Sequence, residues 1–393
     1  MIRKSLIETI FEAASIERWN DHIRPSRGFT ELDKQSHKLL CAYALGKLNP
    51  DTDWLLLVEG GIFEFLHRLV LTDIKPPIFH RLMAEKGEEL NRWVINQLHS
   101  DLAPIPGGFA KRFERYYTEP DYAANEKQIL EGAHYLATKW EFDIIYNMCQ
   151  NYYGIENTRR ELDDKLRTLE DNPYFASFMR NNNYIGFINL LGELRFQQRW
   201  SRSPRIPATS VIGHMLIVAV LSYFFSCEMG ACRQRLINNF LGGLFHDIPE
   251  VLTRDIVSPV KNSVEGLDAL IKSIEQEQME KVLYPLIPND WRKEIEYYTN
   301  DEFTDKVLLD GVITRTSSEA INETFNEDRF MPVDGRVIRA CDHLAACIET
   351  YMSHICGVTT RTLQDGNRDL YLHYRNATIG GVNFGSLFEY FRI

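Results

Sequence analysis

Hydrophobic residues recur every three or four positions along most of the chain, the spacing of a helix that buries one face. The pattern predicts helices over 3–18, 31–48, 54–70, 84–100, 124–151, 157–180, 210–228, 231–248, 264–284, 305–322 and 335–356. The strict alternation expected of a half-buried strand is sparse. DIKPPIF, SDLAPIPGGF and SRSPRIPATS carry the proline and glycine chemistry of loops. The charged, periodic stretch ELDDKLRTLEDNP, roughly 161–173, reads as a connecting helix, and the tail HYRNATIGGVNFGSLFEYFRI as a short hairpin or irregular segment. These elements predict an all-α fold.

Polar residues that interrupt apolar helices come next, because a buried polar group needs a partner. His214 stands in SVIGHMLIVAVLSYFF, Asp342 in VIRACDHLAACIET, and His246 and Asp247 sit side by side in GGLFHDIPEVLTRDIVSPVK. Neighbours on a helix point about 100° apart, so both reach one cation only if other helices close around it. Two His and two Asp form a mixed nitrogen and oxygen set suited to Mn, Co, Fe, Ni or Zn. The lack of Cys argues against a structural zinc site. An isolated His-Asp dipeptide is common, whereas the order His, His-Asp, Asp over successive helices is not.

That order resembles the HD-domain superfamily of metal-dependent phosphohydrolases, all-helical bundles in which these four positions hold one divalent cation. Glu250 and Asp255 follow the dyad, with Ser258, Pro259, Val260 and Lys261 behind them, and Arg199 and Trp200 precede His214 by fifteen and fourteen residues. This longer run is similar to the bacterial 5′-deoxynucleotidase branch. One departure stands at Gly213, where that branch tends to carry an acidic residue. The resemblance implies hydrolysis of a small phosphate ester, the monoester of a (deoxy)nucleoside 5′-monophosphate. Glu250 and Asp255 would then handle protons and water, Arg199 and Lys261 would bind phosphate, and Trp200 would pack against sugar or base. Alternatives are a nucleotide-binding regulatory or scaffold protein that keeps a metal, and an enzyme acting on a cyclic dinucleotide, an alarmone or a nucleoside triphosphate.

At 393 residues the chain exceeds one ordinary core, and two domains are expected, 1–165 and 166–393. A formal charge of −11 disfavours nucleic acid as a partner. The apolar stretch after His214 is short for a bilayer and begins beside a candidate ligand, so it reads as a core helix rather than a membrane span. The N-terminus lacks the pattern of a secretory signal. Seven scattered cysteines show no disulfide framework, and a reducing cytoplasm is the expected location.

The first half echoes the second. Arg18 and Trp19 parallel Arg199 and Trp200, and His37 parallels His214. IFEFLHRLVLTDIKPP parallels LFHDIPEVLTRDIVSPV, setting Glu64 and Phe65 against His246 and Asp247 and Asp73 against Asp255. GAHYLATKWEF sets His134 against Asp342. The expectation is two tandem copies paired within one chain, the first degenerate. Its only conceivable metal set would be His37, Glu64 and His134 with His67.

Overall fold

The computed structural model describes residues 2–19, 29–72, 74, 76–254 and 264–393. It is an all-α bundle, and the strands among the described residues form two small hairpins. One continuous hydrophobic core runs through both halves.

Three helices organise the second half. Val211–Glu228 begins at Ser210, whose side chain accepts the amide of Gly213, an N-cap that supplies one of the orphan first-turn bonds. Arg233–Phe245 packs across it. The two approach so closely at Gly243 that a Cβ there would lie 2.7 Å from Ala219 Cα, so glycine is required. Gly335–Ile355 crosses both. Its start is fixed by Asp334, which accepts from Arg235 at 2.6 and 2.7 Å and from Asn239 at 2.6 Å. Arg235 and Asp334 are both fully buried, so the helix bearing Asp342 is tied to the one that leads into His246.

The first half uses the same devices. Thr30 caps Glu31–Leu48 by accepting the amide of Asp33. Gly61 on Trp54–Val70 faces Leu39 where Gly243 faces Ala219. Ala124–Cys149 packs on both first-half helices. The halves meet helix to like helix: Glu31–Leu48 lies on Val211–Glu228, and Trp54–Val70 on Arg233–Phe245. Tyr43 and Phe245 meet edge to face there at 4.8 Å.

Several sequence expectations need correction. The span 157–180 breaks into Ile155–Leu169 and Pro173–Met179 because Asn172 caps a new helix with proline in its first turn. Pro173–Met179 and Asn182–Gly192 pack against Glu31–Leu48, and the expected 165/166 division falls inside a helix. The span 305–322 is a hairpin, Lys306–Leu309 with Val312–Arg315, followed by the short helix Ser318–Glu323. Asp310 and Gly311 both have positive φ, 49° and 81°, which is the conformation a two-residue hairpin loop of Asp-Gly favours. Helices Phe109–Thr118, Asn289–Thr299 and Arg361–Tyr374 were not expected. In the tail, Thr378–Ile379 pairs with Val382–Asn383, and Phe384–Tyr390 then forms a helix.

Val211–Glu228, at 18 residues, is long and apolar enough to cross a membrane, which corrects the view that the stretch is too short. Yet 94% of it is buried inside the fold, with His214 on its first turns.

Candidate metal centre

His214 sits on the second turn of Val211–Glu228 and is fully buried. Asp342 lies mid-way along Gly335–Ile355, and its Oδ1 stands 2.9 Å from His214 Nε2. The helix Arg233–Phe245 ends just before the dyad, and His246 is its C-cap. The dyad therefore occupies a turn rather than a helix interior, which lets two adjacent side chains reach the same space. Asp247 Oδ2 is 3.0 Å from His246 Nε2.

These distances can be tested against a cation. His246 Nδ1 lies 2.8 Å from the carbonyl oxygen of Gly243; a carbonyl only accepts, so Nδ1 carries the hydrogen and Nε2 is left to ligate. Nε2 is buried and makes no hydrogen bond of proper geometry, although Asp247 is near. Two donors each about 2.1 Å from one ion and at right angles to it stand about 3 Å apart. The pairs at 2.9 and 3.0 Å have that separation. The ligand atoms of His214, His246 and Asp342 all lie within 4.8 Å of one another, and the rings of His214 and His246 are 5.6 Å apart. The residues fit a divalent cation, with Asp247 adjoining this tighter group of three.

The electrostatics agree. Burial pulls the pKa of His246 down, but the carboxylates of Asp247 and Asp342 more than offset it and raise it to about 9. Burial likewise works against ionising the two aspartates, yet His246 holds Asp247 below the usual carboxylate range, and His214 does the same for Asp342. Three or four donors concentrate negative charge and lone pairs on one point, which a cation would neutralise.

Behind the ligands stands a carboxylate that sequence reasoning did not single out. Glu349, seven residues after Asp342 and fully buried, accepts from Trp200 Nε1 at 2.8 Å and from Thr209 at the entrance of the His214 helix. Arg199 Nε lies 3.5 Å away, Arg205 3.8 Å, and His214 Nδ1 4.0 Å. Burial would raise its pKa, but Arg205 and Arg199 bring it down to about 2. Held from behind by Glu349, Arg199 turns its two terminal nitrogens toward Asp247 and Asp342, at 3.9 and 4.0 Å. The segment returns through a bridge between Gln198 and Ser210, and Trp200 takes a left-handed backbone with φ of 55°.

Not every expected site residue converges in the same way. Glu250 is buried and lines, with His246 and Asp247, a cavity of about 540 Å³. It reaches that position at the start of the short helix Glu250–Thr253 rather than by helical continuation from His246. Trp200 gives its indole N–H to Glu349, and its ring faces Gly366, where a Cβ would lie 3.0 Å away. Asp255, Ser258, Pro259, Val260 and Lys261 lie outside the described residues. Gly213 has a local reason: a Cβ there would lie 2.7 Å from Asp33 Oδ1 and 3.1 Å from Leu32. An acidic side chain at 213 would meet the carboxylate of the first half.

The first half holds no candidate metal group among its described residues. His37 faces away from the position expected of it: Nε2 meets the carbonyl of Ile188 and Nδ1 meets Arg195. His67 pairs with Asn91 and stacks on Tyr117 at 4.4 Å.

A search of curated proteins and one of solved structures found no match. The scan of protein families does: residues 191–371, a span that contains Arg199, Trp200, His214, His246, Asp247, Asp342 and Glu349, match the family model of the HD domain, a domain generally found in metal-dependent hydrolases.

Proposed function

We propose that the protein is a divalent-metal-dependent phosphomonoesterase acting on a small ester, a (deoxy)nucleoside 5′-monophosphate, with His214, His246, Asp247 and Asp342 as ligands. The observation that carries this is the convergence of a buried, hydrogen-bond-free imidazole nitrogen with a second imidazole and Asp342, and with Asp247 adjoining at 3.0 Å from His246, inside the segment that matches the HD domain. A cation held there supplies Lewis acidity toward a phosphoryl oxygen and toward water; Mn, Co, Fe, Ni and Zn all suit the donors. The remaining work falls to side chains. Arg199, oriented by Glu349, offers a planar fork to phosphate oxygens. Glu250, on the cavity wall beside the dyad, would give a proton to the departing alkoxide, with Asp255 and Lys261 assisting.

The cavity favours one phosphate over several. Its wall includes Asp268, Glu275, Asp301 and Glu302 against Lys272 among the described residues. Carboxylates accept hydrogen bonds from sugar hydroxyls or base amino groups and repel additional phosphates. That supports a monoester over a triphosphate or cyclic dinucleotide.

The test is phosphate release from a panel of nucleoside 5′-monophosphates with Mn or Co. Turnover that Asp247→Ala abolishes is expected. Binding without release in the wild type would favour a nucleotide-binding scaffold, and an Asp247→Ala chain with full metal and full activity would overturn the assignment.

A further inference from the structure

The backbone of the first half places a second set of side chains in register with the metal centre. Glu17 bridges to Thr30 as Gln198 bridges to Ser210. Trp19 has a φ of 60°, Trp200 one of 55°. Arg18 and Trp19 converge on buried Glu141, both at 2.9 Å, as Arg199 and Trp200 converge on Glu349. Counting from the caps Thr30 and Ser210, the position of His214 is taken by Lys34, 180 residues earlier. Glu64 stands for His246, Phe65 for Asp247 and His134 for Asp342. Contact follows register: Lys34 Nζ lies 2.7 Å from His134 Nδ1, where His214 Nε2 lies 2.9 Å from Asp342.

Basic side chains are thus built into the chain; burial pushes the pKa of Lys34 well below the ordinary lysine range, so an anion brought beside it would favour its protonated form. Lys34 donates to a neutral ring, and one turn on, Lys38 pairs with Glu64. Arg18 is committed to Glu141 and Glu31, while Arg68 stands 3.6 Å from Glu31 with 23% of its side chain exposed. Four basic side chains therefore face three carboxylates among the described residues, with Arg195 behind Glu141. His134 is solvent-exposed in this setting. The basic groups around it, Lys34 first and then Lys38, Arg18 and Arg68, keep its pKa well below the ordinary imidazole value. An ammonium cannot activate water as a Lewis acid, and Phe65 removes one ligand carboxylate outright.

We propose that the first half is a second copy of the bundle in which the Lys34 amine stands where the divalent cation would, and that the basic groups around it bind the phosphate group of a small molecule without hydrolysing it. The phosphate class rests on the function proposed above. The anion would meet Lys34 and Arg68, which hydrogen-bond no carboxylate among the described residues, beside His134.

The experiment uses the full chain carrying Asp342→Asn, stripped of metal so that the second centre is disabled, and titrates inorganic phosphate by calorimetry and by the imidazole NMR signal of His134. One phosphate per chain is expected, with the His134 signal moving toward the protonated form. Lys34→Gln should weaken binding about tenfold or more, the loss of a charged hydrogen bond, and Arg68→Gln severalfold. No binding, or binding unchanged by both substitutions, overturns the proposal. Should Lys34→Gln fail to fold, Arg68→Gln on its partly exposed side chain decides alone. Metal content and phosphate release are read on the chain without Asp342→Asn; their failure would sink the enzymatic reading and leave this test standing.

Discussion

The two centres share a frame and differ in what fills it. Each has an Arg-Trp pair locked on a buried glutamate, Glu141 in one and Glu349 in the other. In one, two imidazoles and two aspartates gather; in the other, a lysine donates to a histidine. The lock recurs while the residues in front of it differ, so on the reading proposed above the glutamate would hold the entry segment and the residues before it would carry the chemistry.

The largest contrast comes from deleting equivalent residues. Asp342→Ala should remove the bound metal and reduce phosphate release to background, while His134→Ala should leave both within about twofold, since it touches nothing in the second centre. Metal analysis and a phosphate assay on the two variants check this; equal losses would erase the distinction drawn here.

Neutralising the lock should split along function and stability. Glu349→Gln leaves one acceptor oxygen for the Trp200 and Thr209 donors and removes the charge that holds Arg199 and His214, and activity should fall about 10- to 100-fold, as for other outer partners of metal ligands. Glu141→Gln leaves buried Arg195 without its carboxylate and Arg18 with Glu31 alone, and should cost about 3–5 kcal/mol of stability with phosphate release per folded chain unchanged. Denaturant unfolding beside steady-state kinetics separates the outcomes.

The smallest effect is on pH. Without metal, His246 keeps its proton up to about pH 9, and a ligand must lose it. Metal affinity should therefore weaken about tenfold for each unit the pH falls below that value, read by competition with a chelator. Glu349 acts in the other sense on folding: with its pKa depressed to about 2, its contribution to stability is present above the ordinary carboxylate pKa and is lost as pH falls through 2.

Much of the metal centre was legible because it breaks a rule. His214 and Asp342 are polar residues inside apolar helical segments, and the dyad ends a third such segment. Glu349 breaks no rule in the sequence: seven residues after Asp342 it resembles any helix carboxylate. Only its partners, Trp200 and Thr209, about 140 to 150 residues away, reveal it as buried. The comparison of His37 with His214 failed because matching residue types shifted the register by three; the caps Thr30 and Ser210 set it correctly and select Lys34. Likewise the apolar spacing over 305–322 predicts a helix, whereas Asp310-Gly311 between short alternating runs is the hairpin signal that prevails. Long-range pairing and turn chemistry decided where local periodicity could not.

The most direct test is to count and locate metal in the full chain, by elemental analysis after dialysis against Mn or Zn and by anomalous scattering. One ion per chain, among His214, His246, Asp247 and Asp342 with none near Lys34 and His134, is the predicted result. A second ion in the first half, or an ion that stays when Asp342 is replaced by alanine, would contradict it.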